Sequence, residues 1–109
     1  APFYKELGKK FGPIDLGFGN LGAYNFYPLV PVKDKSTAHA NPEELLSLMK
    51  DLKVKKIIGM HWGTAILSLE PIWEPPVRFK ENAEKFGYKK EETIIFKIGE
   101  IKKLNDLIN

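Results

Sequence analysis

Cysteine is absent from this 109-residue sequence, which removes disulfide bridges, a thiolate nucleophile and any zinc site built on sulfur. A metal bound here would rest on imidazole and carboxylate, and histidine is scarce too: there are two, His39 and His61. No apolar run approaches the roughly 20 residues that a membrane-spanning helix needs. Arginine-rich or aromatic-interleaved basic stripes are also missing. The net charge of +3, from 17 Lys and Arg against 14 Asp and Glu, therefore reads as a solvated face, not a nucleic-acid footprint, because most lysines stand beside acidic residues. There is no internal repeat and no low-complexity stretch. The lack of cysteine fits a reducing cytoplasm and many exported proteins alike; a cytoplasmic or peripheral-membrane location is expected.

What is present is an ordinary globular composition, 43% hydrophobic and 28% charged, in a chain long enough for one modest core. That limits it to one domain or one half of a larger domain. A helix is predicted from Pro2 to about Lys10, with Phe3, Leu7 and Phe11 on one face, stopped by Gly12 and Pro13. Ile14, Leu16 and Phe18 then alternate with Asp15 and Gly17, the period of a strand. Between Asn20 and Ala40 no period is sustained and Pro28 and Pro31 interrupt an aromatic stretch, so a long loop is expected.

The clearest helix follows. Asn41 caps it, Pro42 takes its first position, Glu44 completes a capping-box pattern, and Leu45, Leu48, Met49 and Leu52 make an apolar stripe. Ile57 to Met60 is apolar without alternation, as in a strand buried on both faces. Gly63 to Leu69 suits a short helix, and a third amphipathic helix is expected from about Pro76 to Phe86, closed by Gly87. Thr93 to Ile98 is a further strand, and the lysine-rich tail from Ile101 a frayed helix. Helices layered on a sheet follow from this order. Three short strands would leave edges and one face uncovered, so more sequence or a partner chain is expected to complete them.

Gly17, Gly19 and Gly22 spell G-x-G-x-x-G after a strand. The dinucleotide motif needs a helix immediately afterwards, and no helical period follows, so these glycines read as points of close backbone packing. His61 stands where a buried strand ends, the position at which α/β sheets hold ligands; taken alone it reads first as a core or rim histidine satisfied by a hydrogen bond. His39, in the long loop, reads alone as an exposed titrating side chain. Tyr24, Phe26 and Tyr27 with Leu29 and Val30 form either an apolar lip or inward packing.

Several separated stretches carry a resemblance that runs from Phe3 to about Glu100: Phe11-Gly12-Pro13-Ile14-Asp15-Leu16, Gly22-Ala23-Tyr24, His39 with Asn41-Pro42-Glu43-Glu44, Met60-His61-Trp62-Gly63-Thr64, and Glu74-Pro75-Pro76-Val77. In this order they resemble the C-terminal portion of the N-acyl-phosphatidylethanolamine-hydrolysing phospholipase D family, within the metallo-β-lactamase superfamily. The resemblance implies an α/β fold in which residues 1–109 are the C-terminal half of a four-layer αββα sandwich, one domain that is incomplete by itself. It implies two metal ions, usually zinc, with His61 as one ligand and His39 as a catalytic residue near the substrate phosphate. The family's His-x-His-x-Asp-His motif, a further histidine and a bridging aspartate are expected ahead of Ala1, so this chain alone is expected to be inactive. The implied reaction is hydrolysis of N-acylated phospholipids or related phosphodiesters by a metal-activated water. A lactonase or other hydrolase of the same fold, or a non-catalytic interaction module, is the alternative. Implied partners are a lipid or phosphodiester substrate and the missing N-terminal half, with a membrane surface and a second copy compatible and nucleic acid excluded.

Overall fold

The computed structural model describes residues 2–22, 41–62 and 71–109. Its elements are α1 (Pro2–Phe11), β1 (Ile14–Asn20), α2 (Pro42–Asp51), β2 (Val54–Met60), α3 (Glu74–Asn82), β3 (Thr93–Ile95) and α4 (Leu104–Ile108), with 3₁₀ turns at Ala83–Phe86 and Lys90–Glu92. The three strands form one parallel sheet in the order β1-β2-β3. Parallel neighbours require crossover connections, and α2 and α3 lie within them.

α2 begins as its sequence requires. Asn41 is extended at φ −78°, ψ 169°, and its side-chain oxygen accepts from the Glu44 amide at 2.8 Å. Pro42 costs no hydrogen bond at the first position because that amide has no intrahelical partner. Leu45 and Met49 are buried as the stripe predicts, but so is Leu46, at 0% exposure. The reason is that α2 packs against both the sheet and α3, which widens its buried arc. Glu43 receives Arg78 Nε at 3.0 Å and Asn82 Nδ2 at 3.0 Å, joining α2 to α3 through a charge-assisted fork.

α3 starts at Glu74 and not at Pro76 as expected. Pro75 and Pro76 both fall in the first turn, where the missing amides are not needed. The helix tightens into 3₁₀ geometry over Ala83–Phe86 and ends at Gly87, whose φ of 84° allows Gly87 N–H to donate to Glu84 O and Tyr88 N–H to Ala83 O, each at 3.0 Å. Lys80 of α3 donates to the carbonyls of Lys90 and Thr93, tying the helix to the start of β3, and burial, then the Lys102 charge, hold its ammonium below the usual lysine range. β3 is shorter than predicted because the chain turns at Lys97–Glu100, closed by Glu100 N–H to Lys97 O at 2.9 Å with Gly99 at φ 81°.

The core lies between the sheet and the α2/α3 layer, built from Leu21, Leu45, Leu46, Met49, Ile57 and Phe79 with Val54, Ala83 and Tyr88. α2 reaches the sheet at glycines: a Cβ on Gly19 would stand 2.1 Å from Leu45 Cδ1, and one on Gly17 2.8 Å from Met49 Sδ. Their register partners Ile57 and Gly59 share that face. On the opposite face α4 sets Leu107 near Lys56 and Ile94, while Phe18 and Met60 stay 61% and 49% exposed. Phe3 and Phe11 of α1 are likewise exposed. Among the described residues, the expectation of a sheet with one face partly uncovered is met.

Tyr88 turns inward to donate from its hydroxyl to Val54 O at 2.7 Å. Burial, aided by the Glu92 carboxylate, pushes the phenol from 10.0 up to about 12. Its folded pKa thus exceeds the unfolded one, so its contribution is whole below pH 10 and is lost as pH rises toward 12. Tyr88→Phe is expected to lower stability by about 1–2 kcal/mol at neutral pH and to make the alkaline loss shallower. Denaturant melts of the two proteins at neutral and alkaline pH check this; equal midpoints with equal alkaline slopes would contradict it.

Candidate functional site

Parallel strands bring their C-terminal ends to one edge of the sheet, which is where α/β folds hold ligands. Here that edge carries Asn20, Met60 and Ile95 and the residues that follow each strand. His61 succeeds the central strand, is exposed, and has φ of 63°. A non-glycine residue in the left-handed region costs roughly 1–2 kcal/mol, and such outliers persist only where the surroundings impose them.

The surroundings are hydrogen bonds from the end of β1. Leu21 N–H donates to Met60 O at 2.8 Å and Gly22 N–H to His61 O at 3.1 Å, so the chain leaving β1 stays bonded to the chain leaving β2. Asn20 Nδ2 caps this turn by donating to Gly22 O at 2.9 Å. Leu21 anchors it, being fully buried against Gly59, where a Cβ would stand 2.2 Å from Leu21 Cδ1. Gly22 permits the contact: a Cβ there would stand 2.4 Å from the His61 carbonyl oxygen. Gly17, Gly19 and Gly22 therefore serve close packing, as read from the sequence, and the last of them supports His61 itself.

Trp62 points into structure, packing half-buried against the core. Its ring centroid is 5.7 Å from that of Trp73, at an interplanar angle of 57°. The two rings line an apolar cavity of about 370 Å³ together with Ile72, Ile95, Phe96, Lys97 and Ile98. The sequence pattern assigned residues 70–75 to no element and did not single out this wall. The available signal was Ile72-Trp73, a large apolar pair between Pro71 and Pro75.

Among the described residues no group of three His, Cys, Asp or Glu is gathered closely enough to hold a metal ion. His61 is not part of such a group among the described residues. His39, Gly63, Thr64 and the aromatic stretch from Tyr24 to Val30 lie outside the described residues, as does the short helix expected at 63–69. No described helix is long and apolar enough to cross a membrane.

No protein-family model matches the chain. It is 45% identical over 51 residues to the N-acyl-phosphatidylethanolamine-hydrolyzing phospholipase D, mitochondrial, of Saccharomyces cerevisiae, a stretch of 47% of this chain and 11% of that protein. It is 34% identical over 79 residues to N-acyl-phosphatidylethanolamine-hydrolyzing phospholipase D 1 of Caenorhabditis elegans, covering 72% of this chain and 21% of the relative. The chain thus spans about a fifth or less of the curated relatives it matches.

Because Gly22 abuts the His61 carbonyl, Gly22→Ala is expected to cost about 1–3 kcal/mol by overpacking and to shift the His61 backbone. Gly99→Ala meets nothing within 4 Å and is expected to cost only about 1 kcal/mol, from its positive φ. Thermal melts with the His61 ring resonances as a second readout compare the two; unmoved His61 resonances in Gly22→Ala would contradict the coupling.

Proposed function

We infer, from the kinship of this chain with the N-acyl-phosphatidylethanolamine-hydrolysing phospholipases D, that it is part of a phospholipase D-type hydrolase acting on N-acylated phospholipids. The observation that carries the reading is His61, held at the C-terminal end of the central parallel strand with φ of 63° by hydrogen bonds from the end of β1. A strained, exposed histidine at a strand end is where a fold spends stability on a site. In this reading the three-stranded sheet is part of an αββα metallo-β-lactamase sandwich, and the face bearing Phe18 and Met60 is the one the second sheet covers.

The reaction so proposed adds water to the phosphodiester phosphorus and expels the ethanolamine oxygen. In this reading His61 would be one ligand of a dizinc centre whose other ligands lie outside this chain. When bound, such ions supply a water of lowered pKa and neutralise charge on phosphate. His39 takes the role of donor to the phosphoryl oxygens or to the leaving oxygen. A protein of this kind would work at the membrane surface, where its lipid resides.

The test uses the full-length protein. Wild type is expected to release N-acylethanolamine from an N-acylated phosphatidylethanolamine and to contain zinc. His61→Ala is expected to lose activity about 100-fold or more together with part of the zinc, and His61→Gly, which relaxes the backbone, is expected to be about 1–2 kcal/mol more stable than His61→Ala yet equally inactive. Brisk lactone opening with no lipid turnover would replace the reading by another hydrolase of the fold. Full activity and zinc content in His61→Ala would remove His61 from the centre.

A further inference from the structure

We propose that the cavity between Trp62, Trp73 and Phe96 receives the N-acyl chain of an anionic acylated phospholipid, with Lys97 at its rim placed for the phosphate. The assignment rests on the phospholipase reading above and adds the subsite that would select the chain. Three features of the cavity support it. Its walls are almost wholly apolar, with Lys97 the single charged lining residue among those described. Its volume of about 370 Å³ lies within the roughly 300–1,000 Å³ of small-molecule sites. The fold leaves its apolar side chains in water instead of closing over them: Trp73 is 68% exposed, Ile72 42% and Ile98 93%. Exposed aromatic and aliphatic side chains gathered on one concave wall mark a site for an apolar ligand.

Position and charge identify that ligand. Trp62 directly follows His61, so one end of the cavity adjoins the strand end at which the phosphodiester is proposed to sit. A second cation stands close, with Lys102 Nζ 5.5 Å from the Phe96 ring centroid. An apolar trough with a lysine at its rim complements a molecule with a hydrocarbon tail and an anionic group. Two larger cavities, of about 480 and 410 Å³, lack this character. One is lined by Lys56, Glu91, Lys102, Lys103 and Asp106 beside Ile94, Ile101 and Leu107, and the other by Glu84, Lys89, Lys90 and Glu91 beside Gly87 and Tyr88, so charges of both signs face the same space.

The experiment uses the full-length protein and monomeric glycerophosphoethanolamines that carry an N-acyl chain of 4 to 14 carbons and no other tail. In wild type KM is expected to fall roughly 2–4-fold per methylene until the cavity is filled, then level off. Trp73→Ala should flatten that dependence and Trp73→Phe should retain most of it. Lys97→Glu should raise KM at every length while leaving the slope. Bromine on the N-acyl chain should quench tryptophan fluorescence, and less so in Trp73→Phe. A full slope in Trp73→Ala, or no quenching while turnover proceeds, would overturn the subsite. Quenching by brominated bilayers of phosphatidylcholine and phosphatidylglycerol but not by the monomeric lipid would also overturn it, making the wall a membrane contact. If the protein hydrolyses no phosphodiester, the phospholipase reading fails by itself, and the quenching, which needs no turnover, still decides the cavity.

Discussion

The rest of the structure depends on how closely α2 lies against β1. Leu45 and Met49 occupy the space that side chains on Gly19 and Gly17 would need, so the helix settles onto bare backbone and the core closes between them. Close packing of this kind responds to single methyl groups. With α2 fixed, Glu43 stands where Arg78 and Asn82 can reach it, and α3 is set beside α2. Phe79 then falls fully buried in the centre of the layer. The turn after α3 directs Tyr88 back to Val54 at the start of β2, so the same strand is held at one end by a phenol and at the other by the amides of Leu21 and Gly22.

This arrangement explains how a left-handed residue is sustained at His61, as Lys53, at φ 58°, is at the entry to the same strand. A strand pinned along its length by two neighbours and capped at both ends cannot relax by sliding. The cost of a left-handed residue at its exit is met by the buried Leu21 and by the hydrogen bonds to Met60 and His61. Strain maintained in this way fixes the direction in which the imidazole and the following indole leave the sheet. Trp62 is consequently held against the core, and its ring meets Trp73 from the start of α3. The histidine and the apolar wall are two results of one backbone geometry.

Much of this was legible in the sequence where the cause is local. Asn41 and Pro42 mark the start of α2 because a cap acts within one turn, and Ile57-Ile58-Gly59 shows burial on both faces because no polar residue interrupts it. Expectations failed where the cause is tertiary. Leu46 lies outside the apolar stripe and is buried because α3 gives α2 a second neighbour. Pro75 and Pro76 look like barriers, yet the first turn of α3 accepts both. The expected continuation of β3 to Ile98 failed in a similar way: Phe96 and Ile98 are strand-forming residues, but Gly99 and the Lys97–Glu100 turn end the pairing at Ile95. The cavity was illegible because its walls come from connections distant in sequence. The functional weight of His61 came from its neighbours Trp62, Gly63 and Thr64 and from the likeness they carry, since a histidine at a strand end is chemically ambiguous by itself.

The two faces of the sheet complete the argument. The α2/α3 side is closed by Leu45, Leu46, Met49 and Phe79, whereas the other side has Leu107 of a five-residue helix and leaves Phe18 and Met60 in water. A parallel sheet is ordinarily covered on both faces, and apolar side chains left open on a sheet are a surface that favours contact. In the proposed sandwich that surface packs against the second sheet, and the strand ends of the two sheets share one rim. His61 then lies on the rim common to both, so ligands contributed from the other side can converge on it. In that proposal the open face and the histidine at its edge are one feature, each the part of a larger contact that these strands would supply.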